Sequence, residues 1–279
     1  MAEAGADSIN QRSTSQGSTD RGTVDRDRTD QVAVWLRDAR TVTVLTGAGI
    51  STDSGIPDFR GPRGVWTTNP AAERLSNIAD YLADPAVRVE AWKSRRDHPA
   101  WTARPNRAHE ALVRLERAGL IHTVVTQNID GLHQKAGSTR VVELHGTVWW
   151  AVCLECGLRT PMADVLARVD AGEPDPRCLS CGGIQKSATI SFGQPLDRDV
   201  LAQAVRAAEE SDLFLAVGTS LTVYPAAGLC DVALEAGARL VVINGQPTPY
   251  DEKAAAVLRD PIGEVLPRLA DAALGEARA

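Results

Sequence analysis

The stretch from Val42 to Trp66 places the tightest limit on what this chain can fold into. Val42-Thr43-Val44-Leu45 is a β-branched apolar run, the pattern of a buried strand. It empties directly into Thr46-Gly47-Ala48-Gly49-Ile50-Ser51, where two glycines permit a tight turn and close backbone approach. Backbone N–H groups after the first strand of an α/β sheet form a natural seat for a pyrophosphate. The dinucleotide fingerprint G-x-G-x-x-G is only half met. Its third glycine position holds Thr52, and Asp53 and Asp58 come too early to grip a ribose about 20 residues further on. From Asp53 to Gly64 the chain is too rich in Gly and Pro for a helix, yet it carries Phe59, Arg60 and Arg63, so it reads as a functional lid.

With 279 residues, the chain can bury a sizeable core, and one large domain with an inserted module is expected. No apolar run approaches the roughly 18 residues of a membrane span, and no basic-then-apolar leader opens the sequence. A cytoplasmic location without membrane partners is therefore expected, and the net charge of −6 argues against nucleic acid as the main partner. Residues 1–29 hold hardly an apolar group and read as a disordered tail. Val32, Trp35 and Leu36 then mark a helix over 31–39 with Asp30 as its N-cap. A small helical insertion is expected over about 67–104, where Ile78, Tyr81, Leu82, Val87 and Trp92 recur among charges; a simple connecting helix pair fits as well.

Strand–helix alternation resumes with a helix over 109–118, stopped by Gly119. A strand over 121–126 then delivers Gln127-Asn128-Ile129-Asp130 at its C-terminal end, where ligands of open α/β sheets sit. A further strand, 141–144, ends at His145-Gly146. His145 alone among five histidines follows a buried strand at that shared edge, and an imidazole suits general-base work. The others, His98, His109, His122 and His133, read as structural or surface residues. Ala188–Phe192 is expected to return to the main sheet, and strands over 213–217 and 239–243 end in Gly218-Thr219-Ser220 and Asn244-Gly245-Gln246. The whole is an α/β fold, a doubly wound parallel, Rossmann-like sheet over 30–148 and 186–279.

Cys153-x₂-Cys156 and Cys178-x₂-Cys181 are two knuckles separated by 21 residues. Four paired thiolates suit tetrahedral zinc, and a closed all-cysteine set makes it structural, in a small module over 149–185. Cys230, in an apolar helix, reads as a core residue.

GAGIS followed by GIPDFR, then TQNIDGLHQKAG, then ELHG, then the paired cysteines, resembles the sirtuins, the NAD-dependent protein deacylases, over about residues 31–270. That resemblance implies NAD bound by Gly47, Ala48, Gly49, Ser51, Asp58, Phe59 and Arg60. Ser51 and Arg60 would lie along the ribose and phosphates, with Phe59 shielding the reactive carbon. It implies Gln127 on the ribose hydroxyls, Asn128 on the nicotinamide ribose beside Ile129, and Asp130 on the carboxamide. Gly218, Thr219, Ser220, Asn244, Gly245, Gln246 and Ile262 would serve the rest of NAD, the last near the adenine. His145 would be the catalytic base, with Asn128 beside it. Acylated-lysine protein substrates would pair along Thr189, Ile190, Phe192 and Gly193. The family's proline, hydrophobic pair and acidic ending there are replaced by Ser187, Thr189-Ile190 and Gln194. Sirtuins that favour acidic acyl groups resemble one another in a Tyr-x-x-Arg pair; this chain has Trp92-Lys93-Ser94-Arg95, with Arg96 an equal candidate, so a deacetylase is expected first. The implied reaction transfers the acyl group to ADP-ribose and releases nicotinamide. An ADP-ribosyltransferase using the same site and a non-catalytic NAD-sensing module remain as rivals.

Overall fold

The computed structural model describes residues 16–58, 61, 64–68 and 74–275. Its strands are β1 (Val42–Thr46), β2 (Thr123–Thr126), β3 (Val141–Glu143), β4 (Gly146–Cys153), β5 (Arg159–Pro161), β6 (Gln185–Thr189), β7 (Leu213–Val217), β8 (Arg239–Ile243) and β9 (Ala256–Leu258). The helices are α1 (Gln16–Asp38), α2 (Val65–Thr68), α3 (Ile78–Ala83), α4 (Pro85–Arg96), α5 (Arg107–Arg117), α6 (Leu132–Ala136), α7 (Met162–Asp170), α8 (Arg198–Glu209), α9 (Leu229–Glu235) and α10 (Ile262–Leu274).

Six strands form one parallel sheet in the order β3-β2-β1-β7-β8-β9, and β4, β5 and β6 form a separate antiparallel sheet. The six-strand order is that of a dinucleotide-binding sheet, with its switch point between β1 and β7. Side chains alternate across it with period two. Val44, Leu215 and Val241 point into a core shared with α1, α5 and α10, while Leu45, Phe214 and Val242 point into one shared with α8 and α9. Both faces are covered, as a parallel sheet requires. Thr43, one of two threonines in β1, is fully buried and donates its hydroxyl to the Ala207 carbonyl at 2.7 Å.

Several expectations change. α1 starts at Gln16, so Asp30 is an interior residue of a 23-residue helix and not its cap. Docking of Val32, Ala33 and Leu36 in the core supplies the costly first turn, after which each further residue adds one hydrogen bond. Residues 1–15 of the expected tail lie outside the described residues. The glycine turn after β1 is a 3₁₀-helix, Ala48–Ser54, ended by Gly55 at φ 82° before the chain becomes irregular. Ala188–Phe192 does not join the main sheet. β6 carries Gln185, Lys186 and Ser187, too polar for a strand buried on both faces, and it pairs with β4 instead. β9, a three-residue strand after an irregular stretch, was too short to read from periodicity.

The helical segment packs on the small sheet. Trp92 of α4, 2% exposed, meets Ala151, Met162 and Val165. Arg88, equally buried, pairs with Asp175 at 2.8 Å and donates to the carbonyls of Tyr81 and Leu82.

Candidate active site and metal centre

The site grows from the C-terminal ends of β1, β2 and β7. Gly47 N donates to the Val217 carbonyl at 3.0 Å and Gly49 N to that of Gly218 at 2.9 Å, so the two loops continue the sheet's pairing beyond its strands. A β-carbon on Gly47 would stand 2.7 Å from the Gly218 carbonyl oxygen, and one on Gly218, at φ 62°, only 2.5 Å from Ile50 N. Interlocked backbone of this kind needs both glycines. Thr52 is tolerated where the fingerprint has its third glycine because the turn is 3₁₀ and short, and its hydroxyl folds back onto the Gly49 carbonyl at 3.0 Å.

The polar run after β2 is tied into this cradle. Gln127 donates its backbone N–H to the Thr46 carbonyl at 3.0 Å and its side-chain amide to Thr219 Oγ1 at 2.9 Å. Asn128 Nδ2 donates to the Gly47 carbonyl and to Ser51 Oγ, both at 3.1 Å. Ser51 Oγ donates to Asp130 Oδ2 at 2.8 Å, and Asp130 Oδ1 accepts from Leu132 N at 2.9 Å. Ser51, Asn128 and Asp130 are all buried, and burial raises the Asp130 carboxyl above its usual range against those hydrogen bonds. The Ile129 carbonyl accepts from Val148 N and that of Asp130 from Trp149 Nε1, both at 2.9 Å, which fastens the run to β4.

His145 sits between β3 and β4. Its Nδ1 lies 2.9 Å from the Gln127 carbonyl, which can only accept, so Nδ1 carries the proton and Nε2 keeps its lone pair. Burial lowers its pKa and the Gln127 carbonyl raises it less, so the ring is a neutral base at neutral pH. The His145 carbonyl in turn accepts from Ile190 N at 2.8 Å. His145 thus stands between the QNID run and the segment after β6.

The four cysteine sulfurs lie within 4.8 Å of one another, with Cys153 and Cys178 buried and Cys156 and Cys181 exposed. Cys153–Cys181 and Cys156–Cys178 are 3.5 and 3.7 Å apart. Those separations are too long for disulfides and close to the edge of about 3.8 Å expected of a tetrahedron with Zn–S bonds of about 2.3 Å. Each knuckle closes on a glycine with positive φ: Gly157 N reaches the Cys153 carbonyl at 3.0 Å, and Gly182 N that of Cys178 at 2.8 Å. The donor set fits zinc and leaves no position for a substrate.

The profile of the Sir2 family matches residues 47–225, from the first cradle glycine past the third cradle loop. The chain belongs to the Sir2 family. It is 56% identical over 230 residues to the NAD-dependent protein deacetylase 2 of Streptomyces coelicolor, covering 82% of this chain and 95% of that one. It is 44% identical to NAD-dependent protein deacetylase 1 of Pyrobaculum aerophilum, with 88% and 94% covered. A solved structure described as Sir2 bound to acetylated peptide superposes with a TM-score of 0.80 at 33% identity, covering 89% of this chain and 99% of that one.

Other expected sirtuin residues fall at varied places. Asp58 Oδ1 accepts from Gly61 N at 3.1 Å, while Phe59 and Arg60 lie outside the described residues. Ser220 Oγ meets Thr222 Oγ1 at 2.8 Å, Gly245 has open space where a β-carbon would go, and Ile262 opens α10. Thr189 ends β6; Phe192 is partly exposed, and its N–H donates to the Ser76 carbonyl at 2.8 Å while its carbonyl accepts from Ile78 N at 3.0 Å. Gly193 follows at φ 81°. Of the two arginine candidates, Arg95 faces inward, 3.0 Å from Ser187 Oγ, and Arg96 is exposed and paired with Asp97.

Sequence reading missed two supports of the sirtuin cradle. Asn106 caps α5 and also donates to the Ile50 carbonyl at 2.8 Å and Ser54 Oγ at 3.0 Å. An Asn just before an amphipathic run is a legible cap, but its second role is tertiary. Arg259 donates to the carbonyls of Asn244 at 2.6 Å and Gln246 at 2.8 Å and pairs with Asp251, which no local pattern announces.

Proposed function

We propose that this sirtuin is an NAD-dependent protein-lysine deacylase that acts first as a deacetylase, with His145 as general base. The observation that carries the reading is the double engagement of His145, through Nδ1 with the Gln127 carbonyl and through its own carbonyl with Ile190 N. One residue, through its ring on one side and its backbone on the other, then joins the nucleotide edge to the peptide segment.

Gly47, Ala48, Gly49, Gly218, Thr219 and Ser220 would hold the NAD backbone against the switch point, with Asn244, Gly245, Gln246 and Ile262 toward its adenine end. The close interlock of the Gly47–Gly49 loop with Gly218, at the switch point of the sheet, fits a group of that kind. NAD, when bound, supplies the ribose carbon that takes the acyl oxygen and gives up nicotinamide. Asn128 and Asp130 would orient the nicotinamide end, their side chains locked by Ser51, with Gln127 and Ile129 flanking them. His145 Nε2 would accept a proton from a ribose hydroxyl, and Gln127 would steady the ring as the charge appears. With one water supplying the oxygen that the acyl carbon needs as its bond to nitrogen breaks, lysine would leave as the free amine and the acyl group would stay on ADP-ribose. Cys153, Cys156, Cys178 and Cys181 would hold a structural zinc away from this chemistry. Four zinc-spaced thiols suit a reducing compartment, so cytoplasmic residence is part of the reading.

Acetyl preference rests on Trp92 and Arg95. The indole fills its place between α4 and the small sheet, and the guanidinium is already engaged by Ser187, so neither is poised for a distal carboxylate. A panel of acylated peptides with NAD, reading nicotinamide and deacylated peptide together, tests the function. Adenine label appearing on protein instead of on a small acylated product would favour ADP-ribosyl transfer. A succinyl over acetyl preference that collapses in Arg95→Met would overturn the acyl assignment.

A further inference from the structure

The segment 189–194 is built around a buried lysine that the reaction above does not use. Lys186, 3% exposed on β6, turns its ammonium along its own strand. Nζ donates to the Ser187 carbonyl at 3.1 Å, to the Thr189 carbonyl in a short contact, and to Gln194 Oε1 at 3.4 Å. The same Gln194 oxygen accepts from Ser191 N at 3.3 Å, and Gln194 N donates to the Ser191 carbonyl at 3.0 Å. One cation therefore gathers both ends of the turn 189–194.

No carboxylate stands among these partners, since Gln194 occupies the place where the sirtuin resemblance has an acidic residue. The charge that acts on Lys186 is the Arg95 guanidinium of α4, which reaches Ser187 Oγ, itself 2.9 Å from Thr189 Oγ1. Burial first and Arg95 second lower the Lys186 pKa to about 8. A buried ammonium beside a second cation is an expensive way to hold a turn if the turn's shape is of no consequence. At its other side the segment is pinned by Ile190 N on the His145 carbonyl and by Phe192 between Ser76 and Ile78. On either side of those pins, at Thr189 and at Gln194, the segment is held by Lys186.

We propose that Lys186 is a positioning residue for the acylated substrate: it fixes the strand end on which the peptide pairs, through Thr189 and Gln194, without touching peptide, NAD or the acyl group. The proposal rests on the reading that 189–193 is the peptide segment. Lysine is required in this role because one terminal group must donate to three acceptors on both ends of a single turn.

The test is steady-state kinetics of full-length Lys186→Met and Gln194→Met with one acetylated peptide and NAD. Losing a charge-assisted hold should raise the peptide KM by about 10- to 100-fold in Lys186→Met. A smaller rise is expected in Gln194→Met, which keeps the lysine and guards against a Lys186 variant that fails to fold. In both, the NAD KM and kcat should stay within about two-fold, a split that general loosening of the fold would not give. Gly193→Ala serves as the reference, because its strain at φ 81° falls on the segment itself. If Gly193→Ala raises the peptide KM while both methionine variants leave it unchanged, the role of Lys186 is refuted and the peptide segment stands. If none of the three moves it, the segment reading falls as well. Parallel losses in kcat and in both KM values would reduce Lys186 to a fold-stabilising residue and overturn the proposal.

Discussion

Replacing His145 by alanine isolates the chemical step from the binding of NAD. Among the described residues the imidazole makes one ring hydrogen bond, from Nδ1 to the Gln127 carbonyl, whereas Ser51, Asn128 and Asp130 are bonded to one another and to the loop after β1. Removing the ring leaves that second network intact, so NAD affinity should change by less than about three-fold, or about 0.65 kcal/mol. The Gln127 carbonyl loses one donor, which costs the fold about 1 kcal/mol and no more. Turnover should fall by about 10²–10⁴, the usual worth of a general base, or about 2.7–5.5 kcal/mol of barrier. The wild-type rate supplies a second signature. Burial holds the ring's pKa below its ordinary 6.5, and the neutral form is the active one. Activity should therefore be level through neutrality and decline only as pH falls below that value, and the acid limb should vanish from the residual activity of the variant. Deacylated peptide and nicotinamide are followed together, and NAD binding is measured by calorimetry. A His145→Ala enzyme within ten-fold of wild type, or one with an unchanged acid limb, would refute the assignment.

The purified protein should carry one zinc per chain, and Cys156→Ala or Cys178→Ala should lose metal and melt lower, because zinc binding contributes to folding itself; full metal with unchanged melting in Cys178→Ala would remove the site. Gly218→Ala must enter a left-handed conformation costing about 1–2 kcal/mol and press on Ile50 N, so the NAD KM should rise at least ten-fold; an unchanged value would show that the cradle does not hold the cofactor. Burial lowers His98 and His109 to about 4 and His133 to about 3, below their unfolded 6.5. Stability should hold above about pH 6.5 and fall toward pH 4, each ring contributing up to about 1.4 kcal/mol per pH unit, a slope that chemical denaturation at stepped pH would detect and His133→Gln should reduce.

How far the sequence reaches follows from the range of the interactions involved. Period-two burial and abrupt glycine turns are local, so β7 and β8 were legible to the residue and β1 to within one, and so was the edge at which Gly47, Asn128 and Gly218 assemble. The cysteine knuckles are local twice over, each with its own glycine-closed turn, and only their meeting is tertiary. What escaped is decided between distant elements. The sheet that β6 joins depends on whether its polar groups find partners away from the main sheet, as the Gln185 backbone carbonyl does with the Tyr81 hydroxyl of α3 at 2.6 Å. The start of α1 depends on docking of its far end, which lets a composition poor in apolar residues stay helical. Arg95 and Arg96 differ by a single position on α4, yet the 100° step between neighbours sends one to Ser187 and the other to solvent. A charged run cannot announce which of its members turns inward; that is settled by the polar groups of the strand it packs against.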